Sequence, residues 1–217
     1  MIIDPSYFTG GKVYIPNAAS NASVTGNVPN AAKKIESYIA RYEEELLSNA
    51  LGYENYTALK LAIEQDANLE DPVNEKWKDL VNGKAYSYEG KGVKWNGLRQ
   101  VHGELKTSLI ANYVFFHYMI DDVQNYTTTG VQKEKAKNAT EQSPNRLLTL
   151  VWREFVEKYQ FGANVNPTIV HTPSGPYTDY FRPQFNMNRS LYQFLQDNDN
   201  YGDFNFRVYE NRNRFGI

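Results

Sequence analysis

His117 stands four and five residues before Asp121 and Asp122 in the stretch "VFFHYMIDDVQNYTTTGV", residues 114–131. A histidine one helical turn from a carboxylate can share a metal ion or form an acid/base pair. At ~100° per residue, His117 and Asp121 fall on one flank of a helix and Asp122 lies well round from both, so two ligands are offered rather than three. His102 and His171 show no ligand spacing, and the chain has no cysteine to supply a thiolate ligand or nucleophile. No Ser/His/Asp set can be assembled from three scattered histidines. A pair of Asp residues at the polar end of a helix is the expected reading, with no metal or cofactor. The alternative is a metal- or acid/base-dependent enzyme using His117 and Asp121, in which alanine at either position removes activity or bound metal without unfolding.

Three other stretches invite chemistry. Asp197, Asp199 and Gly202 fit positions 1, 3 and 6 of a calcium loop, but Tyr201 stands at position 5 and Val208 where a bidentate Glu is required, so a turn is expected. "GKGVKWNG" is rich in glycine, yet it lacks the G-x-x-x-x-G-K-[ST] spacing that cradles phosphates and reads as hairpin. "NFRVYENRNRFGI" offers Arg and aromatic groups for stacking on nucleic acid. Asp203 and Glu210 lie among them, and 23 Lys and Arg against 25 Asp and Glu give the whole chain no drive toward polyanions. A protein-docking segment is favoured there.

The 217 residues suffice for one domain with a real core. The absence of cysteine fits a reducing compartment. "MIIDPSYFTGGKVYIP" has Asp4 and Pro5 where a cleaved signal would be basic, and no stretch approaches the ~18 apolar residues of a membrane span. Aromatic residues make up 14% of the chain, led by 17 Tyr, a bias that suits extensive protein–protein contact.

These groups must be positioned by a mainly α fold: a helical bundle with a small β-hairpin, an extended N-terminal arm and an extended C-terminal tail. Residues 1–28 hold no period for long and read as an arm with one short strand, "KVYIP". The core is expected over 29–160. Its first helix starts near Pro29 and Asn30 and carries Ile35, Ile39, Tyr42 and Leu46 on its apolar face, with Glu43, Glu44 and Glu45 on the solvated side and Gly52 as the stop. Tyr56, Leu59 and Ile63 mark a second helix, ended by Asp71-Pro72. "KAYSY" and "GVKW" around "EGKG" predict a hairpin near 84–95. Leu98, Val101, Leu105, Leu109, Tyr113, Phe116, Ile120 and Val123 recur at spacings of three and four, which predicts one helix of about seven turns. Ser143 and Pro144 can open a last core helix with Leu148, Trp152, Phe155 and Tyr159 inside.

From Phe161 onward, 57 residues contain twelve Phe or Tyr and nine Asn, too aromatic for a disordered polar tail, yet only "RSLYQFLQDN" could make a short helix. An extended docking segment over 161–217 is expected, lying along its own core or a neighbouring subunit. Its anchors would be Tyr177, Tyr180, Phe181, Phe185, Tyr192, Phe194, Tyr201, Phe204, Phe206, Tyr209 and Phe215. Removing the segment is expected to leave a folded core without its partner.

The pieces "ESYIARYEEELLSNALGYENYTAL", "VKWNGLRQV", "SLIANYVFFHYMIDD" and "YTTTGV", spread over residues 30–160, resemble the head-to-tail connector (adaptor) proteins of tailed bacteriophages, especially crAss-like phages of Bacteroides-type hosts. "YEEELLSNALGY" and "TTTGV" are the most telling, although both are packing and turn motifs; the N-terminal arm and the last 57 residues take no part. The resemblance implies a structural subunit of the virion, repeated, usually twelvefold, as a ring under the portal protein. It would touch copies of itself and a downstream tail protein, and double-stranded DNA would pass through its channel without sequence-specific binding. Contacts that close into a ring suit an elongated protomer with an arm at each end. A stopper or tail-tube subunit is the neighbouring alternative, but those are richer in strands.

Overall fold

The computed structural model describes residues 1–19, 31–123, 125–127, 130–132, 145–161, 188–202, 204 and 206–209. They are mostly helical: α1 (Ala31–Leu51), α2 (Tyr53–Gln65), α3 (Glu75–Asn82), α4 (Leu109–Val123), α5 (Asn145–Gln160) and α6 (Leu191–Asp197). Strands β1 (Lys84–Tyr88) and β2 (Lys91–Trp95) pair antiparallel, and β7 (Asn188–Arg189) adds to β2 in parallel. Two further antiparallel pairs are β3 (Gln100–His102) with β4 (Leu105–Thr107), and β5 (Asn125–Thr127) with β6 (Gly130–Gln132). The expected mainly α class with a small hairpin holds.

α4 is the centre. Leu109, Ile110, Ala111, Tyr113, Val114, Phe115, Phe116 and Tyr118 are all buried, so the helix is apolar almost all round, as a helix enclosed by others must be. α1 packs along it with Ile35, Ile39, Tyr42 and Leu46, the face its periodicity marks, and α5 with Leu148, Phe155 and Tyr159, also marked, and with Val151, which is not; Trp152, expected inside, is only partly buried against this core. α1 stops where Gly52 takes φ 78°, its N–H closing on Ser48 O at 3.0 Å. The β1–β2 hairpin turns at Glu89 and Gly90, both at positive φ, as a two-residue hairpin loop requires.

The long helix from Leu98 is shorter than its spacing predicts. Residues 100–107 form the β3–β4 hairpin, turning at Gly103 (φ 63°), and Val101 and Leu105 point outward at 63% and 40% exposure. The register pairs Val101 with Lys106 and His102 with Leu105, so the two residues that continue a helical stripe fall on opposite faces of the hairpin, and Gly103 at the turn decides against the helix. α4 starts afresh at Ser108, whose Oγ accepts the Ile110 N–H at 3.0 Å. The helix α3, with Trp77, Leu80 and Val81 inside, lies where no helix was expected.

The N-terminal residues are not an extended arm with a strand. Two short 3-10 helices, Pro5–Phe8 and Gly11–Val13, fold them onto the bundle, and "KVYIP" forms no strand. Ile2, Ile3, Tyr7, Phe8, Val13, Ile15 and Ala18 are buried in the common core. Glu43, expected on the solvated side of α1, is 6% exposed. Its carboxylate accepts the N–H of Ile2 at 2.8 and 2.9 Å and that of Ile3 at 3.2 Å. From the other side, Arg99 Nε donates to Ile2 O at 2.6 Å. Burial pushes the Glu43 carboxyl upward, against the pull of the two backbone N–H groups.

Glu154 on α5 pins the same segment. Its carboxylate receives Lys12 Nζ and Lys158 Nζ, each at 2.8 Å. Burial alone would raise this carboxyl, but the two ammonium groups outweigh it and hold it at about 2, below the ordinary 4.5. A depressed carboxylate adds stability that is present above its unfolded value and lost as pH falls through the folded one. Acidification from pH 5 to 2 is therefore expected to remove roughly 2 kcal/mol through this group, after a discount for its partial exposure. Denaturant titrations of the protein and of Glu154→Gln at the two pH values check this: the variant should lose that part of the difference, and equal losses in both would refute it.

Candidate functional site

His117 belongs to the α1–α4 seam. Its ring stacks on Tyr42 at 4.3 Å and 11°, and meets Tyr113 and Phe116 edge-on at 4.5 and 5.6 Å. One turn on, Asp121 Oδ2 accepts the Tyr38 hydroxyl at 3.2 Å. Burial and the nearby Asp121 carboxylate both push the Tyr42 hydroxyl upward. Histidine and aspartate thus join one helix to another through an aromatic stack and a tyrosine. Among the described residues, no group of three His, Cys, Asp or Glu is placed to hold a metal ion. His171 lies outside the described residues.

The apparent calcium loop is taken apart. Asp197 closes α6, where its Oδ2 lies 2.8 Å from Arg189 Nε and accepts the Tyr86 hydroxyl at 2.7 Å. The Arg189 guanidinium also sits 4.4 Å over the Tyr88 ring. This network ties α6 and β7 to the β1–β2 hairpin, while Asp199 opens a 3-10 turn that ends at Gly202 (φ 59°).

α6 forms where "RSLYQFLQDN" could make a helix. Ser190 caps it, accepting the Gln193 N–H, while Gln193 Oε1 accepts the Ser190 N–H, a reciprocal capping box. Leu191, Phe194 and Leu195 go into the core, and Phe194 stacks on Trp95 at 5.4 Å. The chain then runs back across α2, α1 and α5. Tyr201 O accepts from Asn55, its hydroxyl donates to Lys76 O, and the Arg207 N–H reaches Asn49 O at 2.8 Å. Gln160, itself buried, holds the end of this run by two bonds to one residue: Oε1 accepts the Tyr209 N–H at 2.7 Å, and Nε2 donates to Tyr209 O at 2.6 Å. The Tyr209 ring fills a box made by Tyr113, Trp152, Phe155 and Tyr159, at 5.2 to 5.9 Å.

The expected anchors therefore divide. Phe194, Tyr201 and Tyr209 are spent on the chain's own core, at 9% exposure or less, which corrects their assignment to a partner. Tyr192, Phe204 and Phe206 are half-buried and form a triangle of edge-on rings, with centroids 5.0 to 6.2 Å apart. Phe206 is seated by stacking on Tyr159 at 4.4 Å. Tyr177, Tyr180, Phe181, Phe185 and Phe215 lie outside the described residues.

Sequence reasoning missed the polar residues that seat these segments. Gln160, at the end of α5, carries no signal in its spacing. Glu43 carries one: it stands four residues from both Ile39 and Leu47, on the buried side of α1.

No helix among the described residues is long and apolar enough to cross a membrane. No protein-family model, curated protein or solved structure matches the chain.

Proposed function

We propose that the protein is a structural subunit of a tailed-phage virion, one copy of a ring that joins the portal protein to the next tail component and extends the DNA channel. The observation that carries this reading is the Tyr192–Phe204–Phe206 triangle. Three aromatic rings held in fixed relative positions, partly open to solvent and backed by a buried tyrosine, are the kind of rigid anchor that concentrates binding energy at protein interfaces. The resemblance of residues 30–160 to connector proteins and the aromatic bias of the chain support the same reading. His117 and Asp121, the residues of the enzyme alternative, are each engaged in helix packing.

Deleting residues 161–217, the obvious test, would also strip Leu191, Phe194, Leu195, Tyr201 and Tyr209 from the core, so the remaining bundle is not expected to stay intact. The double variant Tyr192→Ser/Phe204→Ser removes two rings of the triangle and spares Phe206. It is expected to keep the melting temperature within a few degrees and to weaken portal binding at least about tenfold. Electron microscopy of the purified protein, alone and with its portal, should show closed rings or docked complexes. Dispersed monomers in both samples, or undiminished portal binding by the folded double variant, would overturn the proposal.

A further inference from the structure

We propose that the free edge of β1 is a strand-docking site, and that its occupant is an extended acidic segment of a different protein, which adds a strand to the sheet. The proposal does not depend on the ring reading above.

The sheet runs β1-β2-β7, so β1 is an end strand. Its hairpin turns through two residues, Glu89 and Gly90, which makes Tyr88 and Lys91 the hydrogen-bonded pair that closes the turn. Such pairs alternate along an antiparallel ladder, so Tyr86 and Lys84 also bond to β2, while Ala85 and Ser87 turn their N–H and C=O groups away from it. Both residues are exposed, and among the described residues no hydrogen-bond partner meets those four groups. Natural edge strands are commonly blunted by proline, a bulge or a charge in mid-strand. From Ala85 to Tyr88 there is no proline and no charge, and the register is unbroken. The edge is also firmly seated: Tyr86 packs edge-on against Phe194 at 6.0 Å and donates to Asp197 at 2.7 Å. An incoming strand therefore finds its ladder preformed.

Charge selects the occupant. Residues 1–75 carry five Lys or Arg against eleven Asp or Glu, whereas residues 76–106 carry seven against three, so the hairpin lies in the basic part of an acidic chain. Lys84 is taken by Asp79 at 2.6 Å and Arg189 by Asp197 at 2.8 Å, which leaves Lys91 and Lys94 exposed and, among the described residues, without an ion pair. Lys94 stands opposite Ala85, and Gly92 opposite Ser87, so Lys94 is the one long side chain on that face of the hairpin and can reach over Ala85 to a carboxylate on an added strand. Among the described residues, strands β1 to β7 contain no Asp or Glu, so a second copy has no acidic strand to give. An edge that offers N–H donors and C=O acceptors in turn also fits a peptide backbone better than a phosphate chain, which supplies acceptors only.

A fluorescein-labelled octapeptide of alternating Glu and Val, with its Lys and Val counterpart, tests this on the full chain. Anisotropy is expected to show saturable binding of the acidic peptide with Kd below about 1 mM, and binding of the basic one at least about tenfold weaker. Ser87→Pro removes one outward N–H without touching a bond to β2, and Lys94→Glu reverses the exposed charge. Each is expected to weaken binding at least about tenfold with a melting temperature within a few degrees of the parent's. In the parent protein, the Ala85 and Ser87 amides should exchange with deuterium at least about tenfold more slowly when the acidic peptide is bound, a readout that stands even where Ser87→Pro does not fold. Absence of binding, equal binding of the two peptides, or no slowing at those two amides would overturn the proposal. So would displacement of the peptide by a short DNA duplex at lower concentration, which would make the patch a polyanion site, or sedimentation of the parent as dimers that Ser87→Pro dissolves, which would give the edge to a second copy.

Discussion

Replacing Phe8 with alanine is expected to cost about 3–5 kcal/mol of folding free energy, as much as a deletion from the middle of a helix bundle. The sequence places Phe8 in a stretch without periodicity, where truncation of an exposed arm would cost almost nothing. In the structure its ring is fully enclosed, among the buried residues that include Ile3, Tyr7, Val13 and Ile15. The surrounding core relaxes only in part around a lost ring, so the cavity term adds to the transfer term. Tyr14, 54% exposed, is the internal comparison, and Tyr14→Ala should stay within about 0.5 kcal/mol of the parent. Urea titrations of the two variants decide the matter: similar midpoints would mean that the first nineteen residues do not share the core.

Gly97→Ala is expected to be as damaging, for a reason that involves no cavity. The chain after β2 crosses the end of α3 so closely that a Cβ on Gly97 would lie 2.6 Å from Asn82 C, Gly83 N and Val81 O. These are backbone atoms that cannot swing away, and Gly97 also sits at φ 86°, where L-residues are strained. The crossing is held by Arg99 N–H to Val81 O at 2.8 Å and by Trp95 Nε1 to Leu80 O at 2.8 Å. Relieving the clash would break them. A loss of about 3–5 kcal/mol is expected, against roughly 1–2 for Gly90→Ala, which has a positive φ but open space around it. If the two alanines shift the urea midpoint equally, close packing at the crossing is not what the glycine serves.

Much of this architecture was legible in the residues because local and global preferences agree. The α5 face needs Leu148, Phe155 and Tyr159 on one side in any packing, and those are the side chains enclosed. Glu89-Gly90 between two alternating runs marks a tight turn, and Ser190 followed by Gln193 supplies the capping residues for a helix, and both form as read. What was hidden was decided by partners far along the chain. Glu43 lies at a helical spacing that faces the core, but what satisfies its carboxylate there, the N–H groups of Ile2 and Ile3, is about forty residues away. Val101 and Leu105 continue a helical stripe until Gly103 turns them into a hairpin. The aromatic tail reads as one docking surface, whereas the structure seats Phe194, Tyr201 and Tyr209 in the chain's own core and leaves Tyr192, Phe204 and Phe206 partly open. Nothing in their local sequence separates the two groups.

The pins on the first residues also set an order of events during synthesis. Ile2 and Ile3 leave the ribosome before their holders, Glu43 and Arg99, and Lys12 waits for Glu154. At ~5–20 residues per second, the last of these emerges roughly 8–30 s after the first. Through that interval Ile2, Ile3, Tyr7 and Phe8 have no finished groove to enter. The opening segment is therefore among the last parts of the core to close, a late, long-range step that slows folding and offers exposed apolar side chains to whatever holds nascent chains.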